Sequence, residues 1–199
     1  MEDAGEFCFY EGALLATPSG LVSIAELAAR AHDQYVFTFR GSGVRGGRIA
    51  APGPEARVEA PLRIVTIAME DCEPHGDAQM ARRLSEDVLV SASNQRVARA
   101  VHRATFQAFL AAVASQPPYE WVEARELKVG DFVQSISMER AFDPFVCAKT
   151  DMLWTIKEWR KIVHIAAGDA SCRARKISMA SSDPCVFANG VLVRCAAMV

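Results

Sequence analysis

Residues 8–27 have the sequence CFYEGALLATPSGLVSIAEL, and this stretch carries the clearest indication of the fold. Its Thr17-Pro18-Ser19-Gly20 tetrapeptide is typical of a turn, because proline presets φ and glycine accepts a positive φ. The turn separates apolar runs at residues 13–16 and 21–24, so we predict a β-hairpin. A serine at position 23 then predicts the cap of a helix of one or two turns.

Short apolar segments recur along the rest of the chain, and they predict a mostly β protein of many short strands. Outside the first hairpin, these strand candidates lie at residues 35–39, 62–68, 87–91, 132–136, 161–166, 175–179, 185–188 and 191–194. Asn189-Gly190 separates the last two candidates and is typical of a two-residue hairpin turn.

Two stretches depart from the strand pattern. Residues 41–60 are rich in glycine and proline with little apolar patterning, which predicts a flexible surface loop. From residue 97 to residue 115, apolar side chains recur every four positions, which predicts a helix. The prolines at positions 117 and 118 mark its end.

Composition limits the classes of protein to which this chain can belong. It has 199 residues, 51% of them hydrophobic, which is enough for one domain with a packed core. The 22 basic and 24 acidic side chains give a net charge of −2, which argues against a nucleic-acid-binding protein. No apolar run is long enough to span a membrane, and the first residues lack the order of a signal peptide. We therefore expect a soluble chain, although its compartment stays open.

The six cysteines are widely spread and contain no CxxC pair, so we predict no metal site. We expect most of them to be small buried hydrophobic residues.

Four segments, taken together and in order, resemble the Hint domain, the self-processing fold shared by inteins and hedgehog C-terminal domains. They are CFYEGALLATPSGLVSIAEL at 8–27, VLVSASN at 88–94, WVEARELKVGDFVQSI at 121–136 and CVFANGVLVRC at 185–195. The resemblance implies a compact horseshoe of short strands over residues 8–199, with the predicted helix at 97–115 as an insertion. Residues 1–7 would then be a flanking segment of an upstream polypeptide.

The last segment is more similar to the hedgehog branch of the family, which closes with a Gly-Val-Leu-x-x-Cys pattern. An intein would end in His-Asn, whereas Arg194-Cys195 stand at that place here. Asn94 and Asn189 are the only two asparagines, so a terminal asparagine that could cyclise is missing. The resemblance therefore implies autoprocessing without splicing.

The resemblance implies that Cys8 attacks the carbonyl of Phe7 and converts that peptide bond into a thioester. A thiol suits this N-to-S acyl shift because its pKa of about 8.5 leaves some thiolate near neutral pH. Phe7 is a departure, because the hedgehog branch often has glycine before the cysteine. The alternative is that Cys8 is a buried structural cysteine near the start of a strand.

The family's Thr-x-x-His element is matched by Ser91-Ala92-Ser93-Asn94. Ser91 keeps a hydroxyl that can donate to an oxyanion. Asn94 stands where the histidine should be, or Gln95 does if the register slips by one. An amide cannot titrate near pH 7, so the resemblance implies slow cleavage, or a site that has decayed. His164, in a predicted late strand, is a possible substitute acid or base.

Cys195 matches a hedgehog-type cysteine that lies close to the first one. A Cys8–Cys195 disulfide would be a redox lock, and two free buried thiols are the alternative. The nearest match to the hedgehog acid that activates a sterol is Glu70-Asp71, with Asp71 as a possible acid or base. No sterol-recognition region follows Cys195, so water or a small thiol is the expected acceptor.

Two functions follow from this resemblance. The first is a self-processing domain that releases the upstream polypeptide of the same chain by hydrolysis or thiolysis, with no metal or organic cofactor. The second is a catalytically degenerate Hint-fold scaffold that serves as a structural or interaction module. Cys8, Ser91 and Cys195 favour the first function, and the missing histidine favours the second.

Overall fold

The computed structural model describes residues 8–30, 34–40, 43–50, 52–58, 61–67, 87–101, 119–143 and 148–198. The prediction of a mostly β protein is confirmed within these ranges. The strands are β1 (Cys8–Tyr10), β2 (Leu14–Thr17), β3 (Gly20–Ser23), β4 (Gln34–Arg40), β5 (Gly43–Ile49), β6 (Glu55–Val58), β7 (Leu62–Ile67), β8 (Asp87–Ala92), β9 (Arg96–Ala100), β10 (Tyr119–Glu123), β11 (Phe132–Asp143), β12 (Ala148–Ala167), β13 (Cys172–Lys176), β14 (Ser178–Met179), β15 (Cys185–Ala188), β16 (Val191–Arg194) and β17 (Ala196–Ala197). A short helix, α1 (Ile24–Ala28), and a 3₁₀ turn at Ala124–Glu126 complete the described elements.

The predicted hairpin at the start of the chain is confirmed. Strands β2 and β3 pair antiparallel, and the Thr17 hydroxyl donates to the Gly20 carbonyl at 2.7 Å across the turn. Gly20 has a φ of 114°, a value that residues with a Cβ rarely adopt. Helix α1 follows at once because Ser23 and Glu26 form a reciprocal capping box.

The predicted hairpin at Asn189-Gly190 is also confirmed. It joins β15 to β16, and both turn residues have positive φ, 47° for Asn189 and 77° for Gly190. The Asn189 side chain also ties this turn to the first hairpin, because its Oδ1 accepts from the backbone N–H of Leu14 at 2.8 Å.

The described strands form three sheets. One has the order β1-β13-β6, and a second has the order β17-β14-β5-β4. The largest has the order β3-β2-β15-β16-β9-β11-β12-β7-β8, with β10 paired to β9. Strand β12 connects two parts of this sheet, because residues 148–161 pair with β11 and residues 162–167 pair with β7.

The main hydrophobic core lies between these sheets and draws side chains from both ends of the sequence. Phe9 and Leu15 come from the first strands, whereas Val186 and Val193 come from the last hairpin. The described part of the chain contains no helix with the length and hydrophobicity that a membrane span requires.

The predicted helix at 97–115 is wrong in its first turn, because residues 97–100 belong to strand β9. This strand pairs with β10, β11 and β16, and Val97 lies buried opposite Val193. Packing on both sides of a central strand here outweighs the four-residue apolar spacing. Residues 102–118, the rest of the predicted helix, lie outside the described residues.

The predicted loop at 41–60 is likewise replaced by two strands, β5 and β6. Strand β5 pairs with β4 along its whole length, from Gly43 opposite Arg40 to Ile49 opposite Gln34. Gly47 packs closely, because a Cβ at this position would lie 3.0 Å from side-chain atoms of Thr38 and Met179. Gly47, one of the glycines that suggested a loop, therefore permits close strand packing.

Candidate functional site

Cys8 is the first residue of β1 and lies directly opposite Lys176 of β13. This residue is buried, with 7% exposure, in a small apolar group that we call the Cys8 cluster. The cluster contains Cys8, Leu62, Ala92, Cys172 and Ala174, with Tyr10, Val58 and Val90 packed against it. Phe7 lies outside the described residues. Cys8 therefore lies where the chain enters the sheet, against the end of β8.

Burial raises the pKa of the Cys8 thiol above its ordinary value, because desolvation disfavours the thiolate. The nearby Lys176 cation acts in the opposite direction and lowers it. Burial also raises the pKa of Cys172, and the neighbouring Cys8 adds to that effect. Neither residue forms a disulfide within the described part of the chain. The thiol form therefore predominates at Cys8 near neutral pH.

The side chains at the end of β8 pack in two different places, one on each face of the strand. Val90 and Ala92 pack with the Cys8 cluster, whereas Leu89 packs in the main core. Because successive side chains of a strand alternate between faces, Ser91 lies on the Leu89 side. The structure thus brings Cys8 to the end of β8 but places Ala92, not the Ser91 hydroxyl, on the Cys8 face.

Ser91 and Gln95 form a buried polar pair. The Ser91 hydroxyl lies 2.9 Å from Oε1 of Gln95 and 3.1 Å from the Ala92 carbonyl, so it can donate to either oxygen. Nε2 of Gln95 is buried and has no hydrogen-bond acceptor among the described residues. Gln95 is therefore a buried amide with a spare donor, next to the strand end that contacts Cys8.

Asn94 occupies a different position, because it lies in the turn between β8 and β9 and is half-buried. Its Oδ1 has no hydrogen-bond donor among the described residues. The backbone on both sides of Asn94 is firmly held. The N–H of Ser93 donates to Pro61 at 2.8 Å, and the N–H of Ala124 donates to the Gln95 carbonyl at 2.7 Å. Of the two candidates for the histidine position, Gln95 is the buried one.

Cys195 follows β16 and belongs to the main core, not to the Cys8 cluster. It is a free thiol, and its backbone N–H donates to the Pro184 carbonyl at 3.0 Å. Burial raises its pKa strongly, and the neighbouring Cys185 and Asp183 raise it further. Cys8 and Cys195 thus lie in different apolar groups of the described structure, and the Cys8–Cys195 disulfide stays a prediction.

The end of the described chain nevertheless comes close to the strand that pairs with Cys8. Strand β17 runs parallel to β14, and the N–H of Ala196 donates to the Ile177 carbonyl at 3.0 Å. Ile177 directly follows Lys176, the cross-strand partner of Cys8. Lys176 therefore pairs with β1, and the next two residues, Ile177 and Ser178, contact the last strand.

His164 lies on β12 opposite Thr66 of β7, and it is half-buried. Ser91 lies opposite Arg63 of that strand, three positions from Thr66. The register therefore does not bring His164 next to the Ser91–Gln95 pair. Asp71 and Glu70 lie outside the described residues.

Lys176 is a residue at this site that sequence reasoning missed. Nothing in its local sequence, Arg175-Lys176-Ile177, sets it apart from the other basic residues of the chain. Its place opposite Cys8 follows from a pairing between residues that are 168 positions apart, 176 minus 8. Within the described residues, no group of three His, Cys, Asp or Glu side chains is arranged to hold a metal ion.

Because cysteine thiols are buried in the folded protein, we expect its free energy of unfolding to fall at alkaline pH. Below about pH 8.5 each thiol is protonated in both the folded and the unfolded chain, so it adds no pH dependence to the free energy of unfolding. Above that pH the unfolded chain loses the Cys195 proton while the folded chain keeps it, which favours unfolding. We expect the free energy of unfolding to fall by up to about 1.4 kcal/mol per pH unit for this thiol. Urea titrations from pH 7 to pH 10 measure the slope, and Cys195→Ala should flatten it. An equal slope in that variant would contradict the assignment.

Comparison with known proteins places this geometry in context. No protein family matches the chain by sequence, and no curated protein matches it either. Among solved structures, a variant of the Ssp DnaB mini-intein has a TM-score of 0.59 at 11% identity, over 98% of this chain and 97% of that one. The TvoVMA intein has a TM-score of 0.59 at 9% identity, over 94% of this chain and 97% of that one. The DnaX mini-intein from Spirulina platensis has a TM-score of 0.57 at 12% identity, over 94% of this chain and 98% of that one.

These similarities extend over nearly the whole chain and over nearly the whole of each intein. They show that the chain has the Hint fold, which confirms the fold expected from the four sequence segments. These neighbours are inteins and mini-inteins, and they do not separate a hedgehog-type domain from an intein.

Proposed function

We propose that this chain is a self-processing Hint domain that cleaves the peptide bond between Phe7 and Cys8. The observation that carries the proposal is the place of Cys8 at the start of β1, packed with Ala92 at the end of β8. In a fold shared with mini-inteins, this arrangement joins the first-strand cysteine to the segment that resembles the family's Thr-x-x-His element.

The proposed reaction has two steps. The Cys8 sulfur adds to the Phe7 carbonyl carbon, the bond from that carbon to the Cys8 nitrogen breaks, and the thiol proton ends on the freed amine. Water then adds to the thioester, which leaves a carboxylate on Phe7 and restores the Cys8 thiol. A small external thiol can take the place of water and carry the upstream polypeptide away as a new thioester.

Two features of the site support slow turnover. Burial raises the pKa of the Cys8 thiol, so little thiolate is present at neutral pH. The segment from Ser91 to Gln95 contains no side chain that titrates near neutrality. Loss of a general acid or base typically lowers a rate by about 10²–10⁴-fold.

We propose release without splicing, as in the hedgehog-type branch. Arg194 and Cys195 stand where an intein would end in His-Asn, and Cys195 is held in the core. A thiol kept protonated by burial is a poor nucleophile, so we assign Cys195 a structural role.

A fusion of a folded tag to Met1 tests the proposal by intact mass. We expect two fragments separated at the Phe7–Cys8 bond, formed faster with dithiothreitol or hydroxylamine, and no fragments from Cys8→Ala. Cys172→Ala is the matched control, because Cys172 is a buried free thiol of the same cluster. It should cleave as the parent does. A parent fusion that stays intact for days in reductant would contradict self-processing and favour the structural scaffold.

A further inference from the structure

We propose that Lys176 is the cationic partner of Cys8, and that its ammonium group stabilises the Cys8 thiolate for attack on Phe7. This inference deepens the proposed function and rests on it for its biological meaning. The ionisation of Cys8 can nevertheless be measured whether or not the chain cleaves itself.

The first support is the sheet register. Cys8 and Lys176 are directly opposite each other in the antiparallel β1–β13 pair. Directly opposite residues point to the same face, with Cβ atoms about 4.5–5.5 Å apart. Cys8 is buried, whereas Lys176 is exposed, so the lysine stem can cover the thiol while its ammonium stays hydrated.

The second support is the distribution of ion pairs along β13. Arg175 lies 3.3 Å from the Glu11 carboxylate, and Arg173 lies 3.5 Å from that of Glu55. These two arginines are on the face opposite to Cys8, because successive side chains of β13 point to opposite faces of the sheet. Lys176 forms no ion pair with any described residue. Among the residues that the structure describes, no carboxylate therefore neutralises its charge on the Cys8 side of the sheet.

The third support is the composition of the Cys8 cluster. Leu62, Val58, Val90, Ala92 and Ala174 bring no charge to the thiol. The other described titratable groups of the cluster are the Cys172 thiol and the Tyr10 phenol, and neither is a cation in any protonation state. Lys176 is thus the described cation that faces Cys8. It lowers the pKa of Cys8 against the larger, opposing effect of burial.

The test is the pH dependence of Cys8 alkylation by iodoacetamide in the full chain, followed by peptide mass mapping. We expect Lys176→Gln to raise the midpoint by about 0.5–1 pH unit at low salt, the size of one charge near the surface. Lys176→Glu should raise it further, and Lys176→Arg should restore the parent value. Molar salt should shrink these differences, because an exposed charge is screened.

Lys128→Gln is the matched control, because Lys128 is an exposed lysine outside the Cys8 cluster. It should leave the midpoint unchanged. Thiolate absorbance near 240 nm, taken as the difference from Cys8→Ala, gives the same midpoint without requiring the reagent to reach the buried thiol. Equal midpoints in the parent, Lys176→Gln and Lys176→Glu by both methods would overturn the proposal.

The two proposals fail in different ways. Shifted midpoints with an uncleaved tag fusion would support Lys176 as the partner of Cys8 and reject self-processing. Cleavage at Cys8 with unshifted midpoints would support self-processing and reject the role of Lys176.

Discussion

In a tag fusion, Gln95→His is expected to cleave the Phe7–Cys8 bond about 10²–10⁴ times faster than the parent, the usual effect of a general acid or base. Gln95 is buried beside the strand end that contacts Cys8, and its carbonyl holds the N–H of Ala124. An imidazole at this position can accept from the Ser91 hydroxyl, which lies 2.9 Å from Oε1 of Gln95. It would add to the 91–95 segment the group titrating near neutrality that the segment lacks.

Asn94→His is the matched control for this prediction, because it adds the same group one residue earlier, at a half-buried position. We expect it to leave the rate close to that of the parent. The Gln95→His rate should also show an inflection near pH 6.5, the ordinary pKa of histidine, whereas the parent rate should follow the ionisation of Cys8 alone. Rates are measured by densitometry or intact mass over time. A faster Asn94→His and an unchanged Gln95→His would place the shuttle position at Asn94.

Leu15→Ala is expected to lower the free energy of unfolding by about 2–5 kcal/mol, the range for removing a large buried aliphatic side chain. Leu15 is 0% exposed, and β2 carries it into the main core between β3 and β15. The loss has two parts, the buried methyl groups and the cavity that the close-packed neighbours cannot fill. Urea unfolding followed by fluorescence or circular dichroism measures the difference.

Leu21→Ala in the same hairpin is the control, because it removes the same atoms from a side chain that is 54% exposed. Its cost should stay below about 0.5–1 kcal/mol. If both variants lose the same stability, the β2–β3 hairpin does not contribute its inner face to the core as described.

The parts of the fold that the sequence predicted are those with local causes. The turn at residues 17–20 and the Asn189-Gly190 turn depend on residues that accept positive φ, so composition alone indicates them. The capping box of Ser23 and Glu26 is equally local. The order of the four Hint-like segments then supplied the architecture, which the similarity to solved mini-inteins confirms.

The parts that the sequence did not predict depend on distant partners. Val97 has the apolar spacing of a helix, yet it lies in a strand because β16 and β10 flank it. Gly43 and Gly47 suggested a loop, yet they pair with β4. In both stretches a local preference of a few tenths of a kcal/mol per residue yields to pairing with distant strands.

The candidate site likewise has features that the sequence predicted and features that only the structure shows. Cys8 and the 91–95 segment are predictions from the sequence, since they stand in segments that resemble the family's motifs, and the structure places Cys8 and Ala92 in one cluster. Two further features needed the three-dimensional structure. These are the face on which Ser91 points and the position of Lys176 opposite Cys8. A strand's period of two makes the direction of any side chain depend on its register, and spacing from a motif does not determine that register.

The pairing of Cys8 with Lys176 has a consequence for timing during synthesis. Among the described strands, β1 pairs with β13, and this pairing can form only after residue 176 has emerged from the ribosome. At about 5–20 residues per second, that wait is on the order of 10 to 30 seconds. Contacts so far apart in sequence also form late during folding, because a long loop must close first. A polypeptide upstream of Cys8 would thus have time to fold before the thiol reached its buried position, so the arrangement acts as a delay on any chemistry at the junction.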